Sequence, residues 1–189
     1  MNKLLLISLC FFIWSCEQSK ISNKLTTTKV ESEKNITLFT LMNPDSTGLD
    51  YYNQLDETEE LNILTYEYLY NGGGIAVGDV NNDGLPDVFM VGNTYGGRLF
   101  LNQGNLKFKQ ISESAGVFVP GFSTGVSMVD INEDGFLDIY LCRSLTDNPE
   151  HRRNVLFINN GDLTFTDRAA EYGLDDPSFS NYANFFDYD

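Results

Sequence analysis

The sequence predicts an all-β fold built of repeated four-stranded units. A nine-residue acidic loop occurs twice, as D-x-N-x-D-G-x-x-D at 79–87 and again at 130–138. Each copy lies between short apolar runs rich in strand-forming residues. Glycine and aromatic residues are frequent, and no long stretch places apolar residues at helical spacing. This pattern favours short strands joined by tight turns.

The first half of each unit is a pair of strands around the acidic loop. We expect strands at 75–78 and 126–129 before the two loops, and at 88–91 and 139–142 after them. The glycine at the sixth loop position permits the sharp backbone turn between the strands.

The second half of each unit is a predicted hairpin. Leu-Phe-Leu-Asn-Gln-Gly at 99–104 returns as Leu-Phe-Ile-Asn-Asn-Gly at 156–161, and a phenylalanine follows as Phe108 or Phe165. The Asn-x-Gly segments predict turns that accept a positive φ. Four antiparallel strands in fewer than sixty residues, repeated along the chain, are typical of a β-propeller blade.

The repeat sets the expected domain boundaries. We predict blades at about 72–122 and 123–179 and the start of a third at about 180, within a propeller region at 36–189. Asp187 follows Asp130 by 57 residues, the spacing that also relates the two hairpins. Because two blades leave sheet edges open, we expect the chain to be the N-terminal fragment of a longer protein.

The oxygen donors in the loops predict calcium sites. Loop positions 1, 3, 5 and 9 supply carboxylate or amide oxygens, and hard oxygen ligands at this spacing suit Ca²⁺. An EF-hand is excluded because its twelfth position, a bidentate Glu, is Met90 in one copy and Leu141 in the other. The alternative is a polar turn without metal, since turns also prefer Asp, Asn and Gly.

The N-terminal segment predicts export. Lys3 precedes an apolar run at 4–14 that is too short to span a membrane, so 1–15 is predicted to be a signal peptide. Ile-Trp-Ser-Cys ending at Cys16 resembles the lipobox of bacterial lipoproteins, which makes Cys16 the predicted lipidation site and 16–35 a tether. The protein would then be held at the outer membrane or cell surface by lipid alone. An ordinary secretory signal is the alternative.

Charge and cysteine content exclude other classes. The chain has 12 Lys and Arg against 27 Asp and Glu, a net charge of −15, which opposes nucleic-acid binding. If Cys10 leaves with the signal and Cys16 carries lipid, Cys142 is the remaining thiol. Its strand-like surroundings predict a structural cysteine that is buried or faces a sheet edge.

Two further segments stand out from the repeat. Tyr66, Tyr68 and Tyr70 alternate with other residues, which predicts a strand with one aromatic face. The segment 143–153 is longer in the second unit than its counterpart in the first, and it concentrates basic charge. We hypothesise that its paired arginines at 152 and 153 contact an acidic partner.

The segment 75–87 resembles an FG-GAP/VCBS repeat, the blade unit also found in the propeller of integrin α subunits. With the Leu-Phe-x-Asn-x-Gly hairpins, the sequence is similar to bacterial lipoproteins that carry these repeats before a C-terminal ASPIC/UnbV domain. The resemblance covers roughly 36–189 and implies a β-propeller of four-stranded FG-GAP/VCBS blades, here about two blades and the start of a third.

The ligand scheme of this family carries over to the loops by position. Each Ca²⁺ would be bound by the side chains at loop positions 1, 3, 5 and 9 and by the carbonyl oxygen at position 7. These residues are Asp79, Asn81, Asp83, Leu85 and Asp87 in the first site, Asp130, Asn132, Asp134, Phe136 and Asp138 in the second, and Asp187 and Asp189 in a partial third.

The function that these features predict is binding without catalysis. We expect a calcium-stabilised, surface-anchored propeller module for a protein or glycan partner. The alternative is the N-terminal part of a carbohydrate-active propeller enzyme whose catalytic groups lie in other sequence. The sequence has no catalytic histidine pairing, zinc-ligand spacing, nucleophile elbow or phosphate loop.

Overall fold

The computed structural model describes residues 38–145 and 148–188, and residues 41–189 form one compact unit. The predicted signal peptide, Cys16, the tether and Asp189 lie outside the described residues. Within the described part of the chain, no helix has the length and apolar character needed to cross a membrane.

Two four-stranded antiparallel sheets make up most of the regular structure, and in each the strands are adjacent in chain order. The first sheet contains β1 (Ile75–Gly78), β2 (Asp87–Met90), β3 (Arg98–Asn102) and β4 (Phe108–Gln110). The second contains β5 (Ser123–Val129), β6 (Asp138–Arg143), β7 (Val155–Asn159) and β8 (Phe165–Asp167). The predicted four antiparallel strands per repeat are confirmed.

The helical elements are short and are fixed by their ends. Helix α1 (Pro44–Thr47) begins after Asn43, whose side chain accepts the N–H of Asp45, and ends at Gly48 with a φ of 82°. A Cβ at Gly48 would lie 2.3 Å from the carbonyl oxygen of Phe108, so glycine is required there. Helix α2 spans Ala169–Tyr172, and a 3₁₀ turn spans Pro149–His151.

The predicted hairpin turns have the expected backbone. Gly104 and Gly161 have positive φ values of 79° and 76°. The side-chain oxygen of Asn102 accepts the N–H of Gly104, and Asn159 does the same for Gly161. The Asn-x-Gly pattern therefore encodes both the turn and its capping hydrogen bond.

The two sheets pack face to face around one apolar core. Phe89 and Leu99 point from the first sheet toward Ile139, Leu141 and Phe157 of the second, and each is at most 3% exposed. Side chains alternate between the two faces of a strand. Tyr140, which lies between Ile139 and Leu141 on β6, therefore points away from this core.

The opposite face of the second sheet carries a second core. Tyr140 and Cys142 on β6 pack with Leu156 on β7, and Ala183 and Phe185 of the C-terminal segment lie against this group. Strands β6 and β7 are thus buried on both faces, which explains their continuous apolar sequence.

The predicted strand at Tyr66, Tyr68 and Tyr70 is wrong, because this segment is a series of turns. The backbone carbonyl of Asn62 accepts the N–H of Tyr66, and Tyr66 in turn accepts the N–H of Leu69. The Asn62 side chain also accepts backbone N–H groups two and three residues ahead. Local side-chain hydrogen bonding therefore overrides the period-two pattern.

Cys142 is expected to resist alkylation in the folded protein. Its side chain is 1% exposed, and burial raises the pKa of the thiol to about 11, with the Asp176 carboxylate adding to the increase. Because the thiolate is the reacting species, labelling by iodoacetamide at mildly alkaline pH should be about 100-fold slower than in concentrated urea. Mass spectrometry of the peptide that contains Cys142 measures both rates, and equal rates would contradict the packing.

Candidate metal centre

The two acidic loops lie side by side at the same end of the two sheets. One connects β1 to β2 and the other connects β5 to β6. Their backbones match at the strained positions: Asn82 and Glu133 both have a φ of 59°, and Gly84 and Gly135 have φ values of 85° and 90°. The sequence repeat is therefore a repeat of loop conformation.

The first loop is folded by hydrogen bonds to its own carboxylates. Asp79 accepts the N–H of Gly84 at 2.7 Å and that of Asp83 at 3.2 Å. Asp83 accepts the N–H of Leu85 at 2.8 Å and an amide hydrogen bond from Asn81 at 3.0 Å. Loop positions 1, 3 and 5 are thus brought together around the turn.

The second loop has the same set of hydrogen bonds. Asp130 accepts the N–H groups of Gly135 at 2.9 Å and Asp134 at 3.1 Å. Asp134 accepts the N–H of Phe136 at 2.9 Å and the amide of Asn132 at 2.8 Å. The first three side-chain positions of each predicted site therefore take the same arrangement.

The ninth loop position has a structural role that the sequence did not reveal. Asp87 is fully buried and accepts the N–H groups of Val80 at 3.0 Å and Asn102 at 2.8 Å. It therefore joins the start of the loop to strand β3.

Asp138 has the same role in the second sheet. It is fully buried and accepts the N–H groups of Ile131 at 3.0 Å and Asn159 at 2.8 Å. Since a carboxylate oxygen has more than one acceptor site, these bonds leave capacity for a further contact.

The two loops concentrate negative charge at one end of the sheets. Burial raises the pKa of Asp87, its two N–H donors lower it, and the nearby carboxylates of Asp83 and Asp79 raise it. The pKa of Asp138 is raised with the same pattern of causes. Within the described residues, the recorded ion pairs involve arginines outside the loops. A bound cation would neutralise this charge.

The donor set suits a hard cation, although the described residues contain no group of three or more His, Cys, Asp or Glu side chains placed to hold a metal. Every predicted ligand atom is an oxygen, including the amide of Asn81 and the carbonyl of Leu85, which is the chemistry that Ca²⁺ prefers. The loop N–H groups account for the loop shape by themselves, as in the polar-turn alternative. The charge is the feature that favours a cation.

The structure describes only part of the predicted third site. Asp187 is exposed in a segment without regular secondary structure, and Asp189 lies outside the described residues. Upstream, Ala183 accepts a hydrogen bond from the Ser127 hydroxyl at 2.6 Å. Ala183 and Phe185 follow Val126 and Met128 by 57 residues, and they contact the second sheet as β5 contacts the first.

Hydrogen bonds between the sheets connect the two loops, which the sequence did not predict. The Asn82 side chain donates to the carbonyl of Gly135 at 2.9 Å. Asn159 of β7 donates to the carbonyls of Val80 at 2.8 Å and Leu137 at 3.2 Å. Asn82 of the first acidic loop and Asn159 of the second hairpin are visible in the sequence. Their hydrogen-bond partners Gly135 and Val80 belong to the other unit, so the sequence of one unit does not reveal them.

The sequence comparison identifies the repeat. Residues 59–141 match the FG-GAP-like repeat. This range contains both acidic loops, strands β1, β2 and β5, and the first part of β6. The predicted FG-GAP character of the blades is confirmed over this range, whereas the ASPIC/UnbV and lipoprotein relationships stay predictions.

Similar proteins include cartilage acidic protein 1 from two vertebrates. The protein from Xenopus tropicalis is 34% identical over 123 residues, which cover 64% of this chain and 18% of the relative. The protein from Mus musculus is 33% identical over 100 residues, which cover 52% of this chain and 15% of the relative. The chain therefore spans less than a fifth of the length of these relatives.

Proposed function

We propose that this chain is part of a calcium-stabilised, non-enzymatic β-propeller that binds a protein or glycan partner at a bacterial cell surface. The observation that carries the proposal is the repetition of an acidic loop with the same hydrogen bonds and the same buried ninth aspartate. The FG-GAP-like match and the two four-stranded sheets support a propeller-like binding fold. They give no support to a carbohydrate-active enzyme.

In this proposal each loop holds one Ca²⁺ through its predicted oxygen ligands. The first site uses Asp79, Asn81, Asp83, the carbonyl of Leu85, and Asp87, and the second uses their counterparts. The ion would supply positive charge to the carboxylates of its loop. The loop N–H groups orient two of these carboxylates, and Asp87 ties the loop to β3. Calcium would therefore stabilise the blade and would take no part in catalysis.

Further blades would complete the propeller. Val126 is 5% exposed because it packs against the first sheet, whereas its counterpart Ile75, 51 residues earlier, is 66% exposed. Val77 beside it is 62% exposed. We propose that another blade covers Ile75 as the first sheet covers Val126. Lipid attachment at Cys16 would hold the assembly on the membrane surface.

Calcium titration tests the metal sites. Isothermal titration of the chelator-treated full chain should show two sites with dissociation constants of about 10⁻⁴ to 10⁻³ M. At the tighter limit, millimolar calcium would stabilise the fold by about 1.4 kcal/mol per site. Thermal unfolding with and without calcium measures this gain.

A double variant tests whether the measured calcium binding takes place at the loops. Asp79→Asn with Asp83→Asn removes two charges from the first loop and keeps an acceptor oxygen at each position, so one site should be lost. Glu113→Gln removes an exposed charge elsewhere and should leave both sites. Absence of binding heat and of any thermal shift in the unmodified chain would reject the calcium proposal.

A further inference from the structure

A cavity of about 610 Å³ lies at the end of the sheets opposite the acidic loops. It is beside the residues that follow β6, whereas the acidic loop precedes β6. Three segments line it: the turns at 60–68, residues 144–145, and residues 179–181. None of these segments belongs to the acidic loops or to the Asn-x-Gly hairpins.

The aromatic wall of the cavity is held in place by neighbouring side chains. The Tyr66 hydroxyl and the Ser144 hydroxyl share a hydrogen bond at 2.8 Å. The Tyr66 ring makes edge contacts with Phe122 at 5.5 Å and with Tyr68 at 5.9 Å between centroids. A wall that is already ordered loses little side-chain entropy when it binds a ligand.

Apolar surface is exposed around the cavity. Leu64 is 93% exposed, Phe179 is 55% exposed and Tyr68 is 51% exposed. All three side chains line the same cavity. Neighbouring exposed apolar side chains with a polar rim mark an interaction surface.

The charged side chains that line the cavity are both acidic. They are Glu60 and Glu67, on the turns that form one wall. A hydrogen bond to Glu67 and the charge of its carboxylate raise the pKa of the Tyr68 phenol, which shows the negative field at the ring. A ligand that enters this cavity therefore meets negative charge beside aromatic faces.

One lining ring already accepts a cation within the chain. The guanidinium of Arg152 lies 4.4 Å from the centroid of Phe179 and donates to the carbonyl of Pro177. Arg153 pairs with Glu150 and Asp175, each at 2.9 Å. The arginines of the basic segment are thus engaged by the chain itself, and the acidic cavity presents the surface next to them.

We propose that this cavity binds a lysine or arginine side chain within a partly apolar peptide segment of a partner protein. Glu60 and Glu67 attract the charged group, Tyr68 offers a ring face, and Leu64 contacts the adjoining apolar side chains. A neutral glycan gains no Coulomb attraction from the two carboxylates, so the charge favours a peptide. The inference rests on the proposed binding function and names the chemistry of its partner.

A blocked peptide of alternating leucine and arginine is the probe. Isothermal titration against the full chain should show binding that weakens about tenfold when citrulline, an uncharged isostere, replaces both arginines. Higher salt concentration should weaken the binding as well. Equal binding of the citrulline peptide, or binding of a neutral oligosaccharide with no binding of the arginine peptide, would overturn the proposal.

Matched variants place the binding in the cavity. Glu60→Gln with Glu67→Gln should weaken binding about tenfold, whereas Glu113→Gln, an exposed change outside the cavity, should leave the affinity within about twofold. Tyr68→Leu keeps apolar bulk and removes the ring, and it should also weaken binding. Circular dichroism verifies that each variant is folded. Unchanged affinity in the folded double variant would refute the site.

Titrations with and without chelator separate this inference from the calcium proposal. If the peptide binds and the chain takes up no calcium, the cavity site is supported and the metal sites are rejected. If the chain takes up calcium and the peptide does not bind, the metal sites are supported and the cavity site is rejected.

Discussion

Replacement of Asp87 by alanine should lower the free energy of unfolding by about 2–5 kcal/mol, measured without calcium. The side chain is fully buried and accepts N–H groups from Val80 and Asn102. Alanine would leave both donors without a partner, at about 1–3 kcal/mol each. Loss of the buried charge offsets part of this cost, because burial already raises the pKa of Asp87.

Urea denaturation in a chelator, followed by circular dichroism, measures the effect apart from metal binding. Asp87→Asn retains one acceptor oxygen and should have an intermediate effect. Asp83→Ala, in the same loop but exposed, should cost less than about 1 kcal/mol. Asp138→Ala should reproduce the Asp87 result, since its two N–H partners are equivalent. If Asp87→Ala and Asp83→Ala cost the same, Asp87 is not the anchor of its loop.

The sequence predicted the elements that are determined locally. The loop glycines, Gly84 and Gly135, and the Asn-x-Gly hairpins have the positive φ values that their patterns require. Each acidic loop folds on hydrogen bonds between residues two to five positions apart, which a single repeat already contains. The order of the strands in each sheet could be predicted as well, because short connections join antiparallel strands that are neighbours in the sheet.

What the sequence did not predict depends on distant contacts. The partner of Asp87 on β3, Asn102, is 15 residues away, and Asn82 contacts Gly135 53 residues away in the second unit. The ligand pattern alone therefore assigned Asp87 to metal and missed its structural bonds. The turns around Tyr66 show the converse, because alternation predicts a strand only when a neighbouring strand supplies hydrogen bonds. There, Asn62 supplies them instead.

Burial on both faces of β6 could not have been predicted from its apolar sequence alone. The apolar runs at 88–91 and 139–142 are both continuous, yet burial alternates along β2, whereas the structure covers β6 on two sides. Ile75 shows the same dependence on neighbours in the first sheet. Its apolar character predicts burial, yet no residue that the structure describes covers it as the first sheet covers Val126. Packing of this kind depends on which neighbour a repeat has.

Phe89→Ala should destabilise the chain by about 3–5 kcal/mol, because the ring is fully buried between the sheets. Ile75→Ala, in the neighbouring strand but 66% exposed, should cost less than about 1 kcal/mol. Urea denaturation compares the two directly. Similar losses would mean that the sheets do not pack across this ring.

A double-mutant cycle with Gly97 tests the position of the Phe89 ring within the first sheet. A Cβ at Gly97 would lie 2.6 Å from the Phe89 ring, so Gly97→Ala alone should destabilise the fold through overpacking. In the Phe89→Ala background the ring is absent and the added methyl partly fills the cavity. The double variant should therefore be more stable than the sum of the single losses predicts, by about 1–3 kcal/mol. Strict additivity would show that Gly97 and the Phe89 ring are not in contact.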